Sequence, residues 1–283
     1  MVIGVSDQKP GSVLVFPYYV SKAAEKKDTR LTISNVSDKA VMVHVFFIDG
    51  ATCNQSDLFL CLTPFASFAF KASEYDPETV GWLLAVAVDA QGRPTQANGL
   101  IGNAFVNDGD YVDNYGAEAF RANAPLLATF TPDTATLFFD NQSYDAVPNQ
   151  LAVEVQSPLD APGQRVVTVG LSGDLNASQM TGAGQIGTGQ IINGNEKPLG
   201  SFIRFLNGNC QAIAIITATN PRVPGGMNVM LPPGQAGTMQ FRVGAAVGLL
   251  MTPRTAKWSG IRSLHKVGVT PTTITIPVLS PSC

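Results

Sequence analysis

No Asp or Glu occurs in the last 87 residues of this chain, Lys197 to Cys283. All 21 acids fall in the first 196 residues, beside ten basic ones, and eight further basic residues follow. The front therefore carries −11 and the back +8, which together make the net −3. Charge is scarce altogether, at 14 % of residues against about a quarter in an ordinary soluble domain. Histidine is scarcer still. His44 lies inside the apolar run VMVHVFF and His265 in the basic stretch SLHK. Alternation along a strand marks His44 as a structural histidine and His265 as a surface one. No GxSxG elbow and no histidine close to a cysteine in sequence points to nucleophilic catalysis. No CxxC pair and no zinc spacing is present. The longest late apolar run, Val243 to Met251, is too short and too glycine-broken to cross a bilayer. The opening MVIGVSD lacks the basic and apolar regions of a signal peptide, so the chain reads as processed or intracellular.

What is present is turn formers and short β-branched runs. There are 27 Gly and 19 Pro among 283 residues, with 45 % hydrophobic content, which excludes global disorder. Runs such as Ser12–Pro17, Arg30–Asn35, Val41–Ile48, Trp82–Val88, Ala135–Phe139, Arg165–Leu171 and Thr272–Val278 carry the strand signature. Many short strands predict an all-β antiparallel sandwich, Ig-like or jelly-roll-like, in two packed units with minimal helix. Only Gly116–Asn123 reads as a short helix, stopped by Pro125. The front RLTISNVSDKAVMVHVFFID and the back SFIRFLNGNCQAIAIITATN echo one another and suggest a duplicated unit. A boundary at SPLDAPG divides the chain into an acidic unit, 1–156, and a basic unit, 157–283, with a long loop over 173–198.

Four cysteines, Cys53, Cys61, Cys210 and Cys283, allow three connectivities. Spacing favours Cys53–Cys61, closing a short loop, and Cys210–Cys283, pinning the last residue; four core thiols are the alternative. Disulfides would imply an oxidising compartment. Asp108, Asp110 and Asp113 form the densest oxygen cluster, a candidate Ca²⁺ site without the EF-hand pattern, or else a solvated acidic turn. No other cofactor is indicated. Glu74, Asp76, Glu78, Glu118 and Glu154 are the carboxylates that could be paired for glycoside hydrolysis, and the Asp76-Pro77 turn explains the first three without chemistry. GAGQIGTGQ, Gly182 to Gln190, imitates a phosphate loop but has no following helix and no later acid.

Arg254, Lys257, Arg262, His265 and Lys266 cluster around Trp258. Basic side chains interleaved with an aromatic can bind nucleic acid, yet the density is modest and the pI of 5.3 is acidic. A surface of one sign suggests an anionic protein counterpart, and the −11 front supplies one. GSVLVFP (11–17), VMVHVFFIDGATC with FLCLTP (41–64), GAEAF (116–120) and SLHKVGV with TITIPVLSPSC (263–283) resemble segments of a group of uncharacterised secreted bacterial proteins. That resemblance implies a signal-bearing precursor and no known activity.

The chain is thus read as a non-enzymatic extracellular structural protein, a head-to-tail subunit of a filament or surface layer. Arg254, Lys257, Trp258, Arg262 and Lys266 are its candidate contacts, and the first and last strands its candidates for strand addition. A monomeric surface adhesin or carbohydrate-binding module, and a viral coat-like sandwich protein, are the alternatives. No nucleic acid and no membrane span are expected, and a glycan is the ligand the second reading requires.

Overall fold

The computed structural model describes residues 9–281 apart from 181–187, 204, 207 and 209. The glycines of the 182–187 loop and Cys283 lie outside the described residues. The molecule is all-β and sandwich-like, and among the described residues its strands gather in five sheets that do not close into a barrel. The first sheet runs β4 (Gln55–Leu62), β3 (Val41–Asp49), β6 (Val80–Val88), β1 (Val13–Val20), β9 (Glu118–Phe120). The second runs β5 (Ser67–Lys71), β2 (Asp28–Asn35), β7 (Leu100–Asp108), β8 (Tyr111–Gly116). The third joins β10 (Ala128–Phe130), β11 (Thr134–Phe139), β23 (Thr272–Pro277), β14 (Gly173–Asp174) and β15 (Gln179–Met180). The fourth is β17 (Pro198–Phe202), β16 (Thr188–Asn193), β19 (Ala236–Arg242), β12 (Val147–Gln156), β22 (His265–Thr270). The fifth is β18 (Ala212–Ile215), β13 (Arg165–Gly170), β20 (Ala246–Thr252), β21 (Gly260–Ser263). A four-residue helix, α1 (Met227–Met230), precedes β19.

Continuous apolar strands explain how the sheets stack. A strand with one solvent face alternates, whereas VLVFPYYV of β1 is buried at every position. Its two faces enter different cores. Leu14 and Phe16, with Val43, Val45 and Phe47 of β3, pack against Leu31, Ile33, Ala104 and Val106 of the second sheet. Val13 and Val15, with Phe46, Trp82 and Leu84, pack against Leu137, Phe139, Ile274 and Ile276 of the third. The first sheet is therefore a middle layer. Val166 and Leu250 of the fifth sheet face Leu151, Val153, Met239 and Phe241 of the fourth, while Val167, Leu249 and Met251 face the front core. Pro17 sits where the β1–β6 register shifts, so its missing N–H interrupts no regular pair.

Several expectations are corrected. GAEAF is not helical: Phe120 pairs with Val13 and is buried, so tertiary burial overrides the helix-forming composition. The first and last strands are not free edges. β1 lies between β6 and β9, and β23 between β11 and β14. The 173–198 loop is partly strand, since β16 pairs along β19 from Thr188 to Asn193. Pairing also crosses residue 156: β12 joins β19 and β22, and β23 returns to β11.

Candidate functional site

The densest polar chemistry lies where the acidic front meets the basic back. The β7–β8 turn presents Asp108, and β13 presents Arg165 from the fifth sheet. Arg165 Nη2 donates to Asp108 Oδ2 at 2.6 Å and to the Tyr18 hydroxyl oxygen at 3.0 Å. The Tyr18 hydroxyl donates to Asp108 Oδ2 at 2.7 Å. The guanidinium carbon lies 3.9 Å from the Tyr111 ring centroid and 5.0 Å from that of Tyr18. Both charged side chains are nearly buried, at 14 % and 13 % exposure. Burial raises the Tyr18 hydroxyl's pKa well above its ordinary value, so it stays a donor.

The neighbouring turn residues serve the same joint. The Arg254 backbone N–H donates to the Asp110 carbonyl oxygen at 2.8 Å, and that of Ile261 to Asp113 Oδ2 at 2.9 Å. Gly260 is required beside it, at φ 143°, because a Cβ there would meet Asp113 Oδ2 at 2.8 Å. Of the three aspartates expected as a Ca²⁺ set, Asp108 and Asp113 are thus engaged through their carboxylates by Arg165 and Ile261, and Asp110 through its backbone carbonyl by Arg254. Among the described residues no three His, Cys, Asp or Glu side chains gather as metal ligands.

A second joint is covalent. Cys53 is bonded to Cys210, Cα to Cα 5.5 Å, across 157 residues. This corrects both favoured pairings. Short spacing set Cys53 with Cys61, but pairing of β3 with β4 places Cys61 opposite Met42, far along the strand from the Asp49–Asn54 turn that carries Cys53. Cys61 is disulfide-bonded as well. Gln211, unnoticed in the sequence, follows Cys210 into the front core. Its Nε2 donates to the carbonyl oxygens of Pro17 at 2.8 Å and Gly81 at 2.9 Å. Gly50 makes room: its carbonyl accepts from the N–H of Gln211 at 3.2 Å, and a Cβ there would lie 2.6 Å from Gln211 Oε1.

Of the expected contact residues, Lys266 is engaged inside the chain, its Nζ 2.5 Å from Glu118 Oε2. Arg254, Lys257, Trp258 and Arg262 are exposed. Trp258 is 67 % exposed, with Lys257 Nζ 5.3 Å from its ring centroid. Arg262 Nη2 donates to the Glu154 carbonyl oxygen at 3.3 Å. His265 is exposed on β22. Asp76 accepts from the Tyr19 hydroxyl and from Ser56 Oγ, and Glu74 caps the turn through Lys71 N–H.

His44 is buried between Phe46 and Phe59, ring centroids 3.9 and 4.1 Å away, with Nε2 2.9 Å from Asp57 Oδ2. Burial lowers its pKa below the ordinary 6.5, against the opposing hydrogen bond to Asp57. The unfolded chain then takes up a proton below about pH 6.5 that the folded chain refuses, so stability falls as pH drops through that value. The urea midpoint of the wild type should fall between about pH 7 and about pH 5.5, and His44→Phe should flatten this fall. Equal falls in both proteins would contradict the assignment.

No protein family matches the chain, and no curated protein matches it in sequence. Among solved structures, Thermotoga maritima 1070 aligns at a TM-score of 0.30 and 9 % identity, over 40 % of this chain and 97 % of that one. A glycosyl hydrolase family 2 member from Bacteroides cellulosilyticus aligns at 0.17 and 9 % identity, over 97 % of this chain and 30 % of its own. Likenesses so slight carry no argument about function.

Proposed function

We propose that this is a non-catalytic extracellular structural protein whose copies associate head to tail. The observation that carries the reading is an exposed aromatic at each pole of the front sandwich. Phe65, 71 % exposed, stands in the β4–β5 turn, and its N–H donates to the Ser37 carbonyl oxygen beside Val36, itself 44 % exposed. Val36 is bonded to Gly99, just before β7 begins. Trp258 stands in the loop that Arg254 ties to Asp110, just after β7 ends. Nine residues of β7 set the two patches about 30 Å apart. Unlike patches on opposite poles make a heterologous contact, which propagates rather than closes. Tryptophan, with arginine, is also the residue type most often dominant in an interface.

Attraction between whole halves no longer supports the reading, because Asp108–Arg165 and Glu118–Lys266 already unite them within one chain. Apolar contact carries the affinity, and Arg254, Lys257 and Arg262 orient it. The disulfides favour an oxidising location. Among the described residues no helix is long and apolar enough to cross a membrane.

Sedimentation of the purified protein should show mass rising with concentration. Trp258→Ala and Phe65→Ser should each weaken association about 30-fold, the effect of roughly 2 kcal/mol. Mixed together, the two variants should stop at heterodimers, each retaining one working end. A wild type that stays monomeric at all concentrations defeats the proposal.

A further inference from the structure

A second surface of the back half is built for a different occupant. Ile191, Met239 and Phe241 point into the back core, so strand alternation sends Gln190 and Gln240 to the outer face of the fourth sheet. Register places Ser201, Gln190 and Gln240 in one row across β17, β16 and β19, and Arg242 beside Gln150 in the next. Together with Arg222 they line a groove of about 490 Å³. Arg222 also borders a neighbouring hollow of about 510 Å³ that includes Gly225 and Gly226.

The charge of this groove is of one sign. Arg222 and Arg242 are exposed, and among the described residues neither forms an ion pair. No acid lines it: the walls from residue 197 onward and β16 carry none, and Glu154, on the same face of β12, pairs with Thr238 outside the groove. A solvated face ordinarily interleaves both signs. Here two guanidiniums, groups that bind carboxylate or sulfate through paired N–H donors, stand among amides and a hydroxyl that both donate and accept. Anionic groups separated by many hydroxyls match that arrangement.

We propose that this groove binds an acidic polysaccharide, carrying carboxylate or sulfate groups on a hydroxyl-rich chain. A nucleic acid fits less well, because Phe202 and Phe241 are buried at 2 % and 0 % exposure and leave no ring in the groove for a base to stack on. The site is independent of Trp258 and Phe65, so it stands or falls apart from self-association.

Titration calorimetry at low ionic strength tests it with polygalacturonate, a sulfated glycan, dextran, polyglutamate and single-stranded DNA. Binding is expected to polygalacturonate or the sulfated glycan, the preferred one naming the anionic group, and to weaken with added salt. Arg222→Gln and Arg242→Gln should each reduce affinity about ten-fold, and Gln190→Ala with Gln240→Ala similarly. Trp258→Ala should leave it unchanged. All these side chains lie on the surface, and an unaltered circular dichroism spectrum checks that the variants fold. No binding to either acidic glycan overturns the proposal. Equal binding to dextran overturns the role of the arginines. Tighter binding to polyglutamate or DNA replaces the sugar with a protein or nucleic-acid partner and also overturns it.

Discussion

Replacing Cys53 and Cys210 together by alanine is expected to remove about 5 kcal/mol of unfolding free energy. The bond closes a loop of 157 residues. Loop-closure entropy grows with the logarithm of length, so this long loop lies near the upper end of what a disulfide contributes. A domain of ordinary stability has only about 5–15 kcal/mol in total. The double variant should therefore unfold at a far lower urea concentration, or fail to accumulate folded. Packing around the bond adds to the effect, since both cysteines are buried in the core shared by the first and third sheets. Reduction of the wild-type protein, which also opens the bond at Cys61, should cost at least as much. A midpoint within about 1 kcal/mol of wild type would show that the Gln211 and Gly50 contacts hold the halves together unaided.

The second large effect is expected at Asp108 and Arg165. Asp108→Asn leaves a nearly buried guanidinium without its anion, and Arg165→Met leaves the carboxylate without its cation. Each should cost about 3 kcal/mol, because an uncompensated charge in a poorly hydrated place is the expensive outcome. The remaining exposure of both groups and the Lys27 ammonium 3.8 Å from Asp108 keep the figure at the low end. Arg165→Met combined with Asp108→Leu should recover most of the loss, since an apolar pair needs no compensation. Urea denaturation of the wild type, Asp108→Leu, Arg165→Met and the double variant forms a double-mutant cycle. Purely additive losses would refute the pairing.

Strand content was legible because its signal is local. VLVFPYYV, VMVHVFFID and VGWLLAVAV are apolar at nearly every position, and burial on both faces is what they encode. Pairing between distant segments was not legible. Spacing along the chain suggested Cys53 with Cys61, but the Asp49–Asn54 turn meets the Cys210–Gln211 plug, 157 residues away in sequence, only in the tertiary fold. GAEAF misled for the same reason: its composition is helical, and only the edge of β1 makes it a strand. The charge break at residue 197 was real, yet its first meaning is internal. Glu118, in the acidic front, finds Lys266 beyond the break within the same chain, and Asp108 finds Arg165 on its own side of it. What the break leaves unanswered internally is Arg222 and Arg242, whose shared groove needed the register of the fourth sheet to become visible.

The middle position of the first sheet has a consequence for synthesis. Its strands β3, β6 and β1 are made within the first 88 residues, but β23, which covers one face, begins at Thr272. At about 5–20 residues per second the ribosome takes roughly 10–40 s to add the intervening chain. For that time the cover of one apolar face of the sheet lacks Ile274 and Ile276, and of the third sheet's strands only β10 and β11 precede residue 140. Completion of this core then waits for β23, and the incomplete chain is a natural client for a holding chaperone.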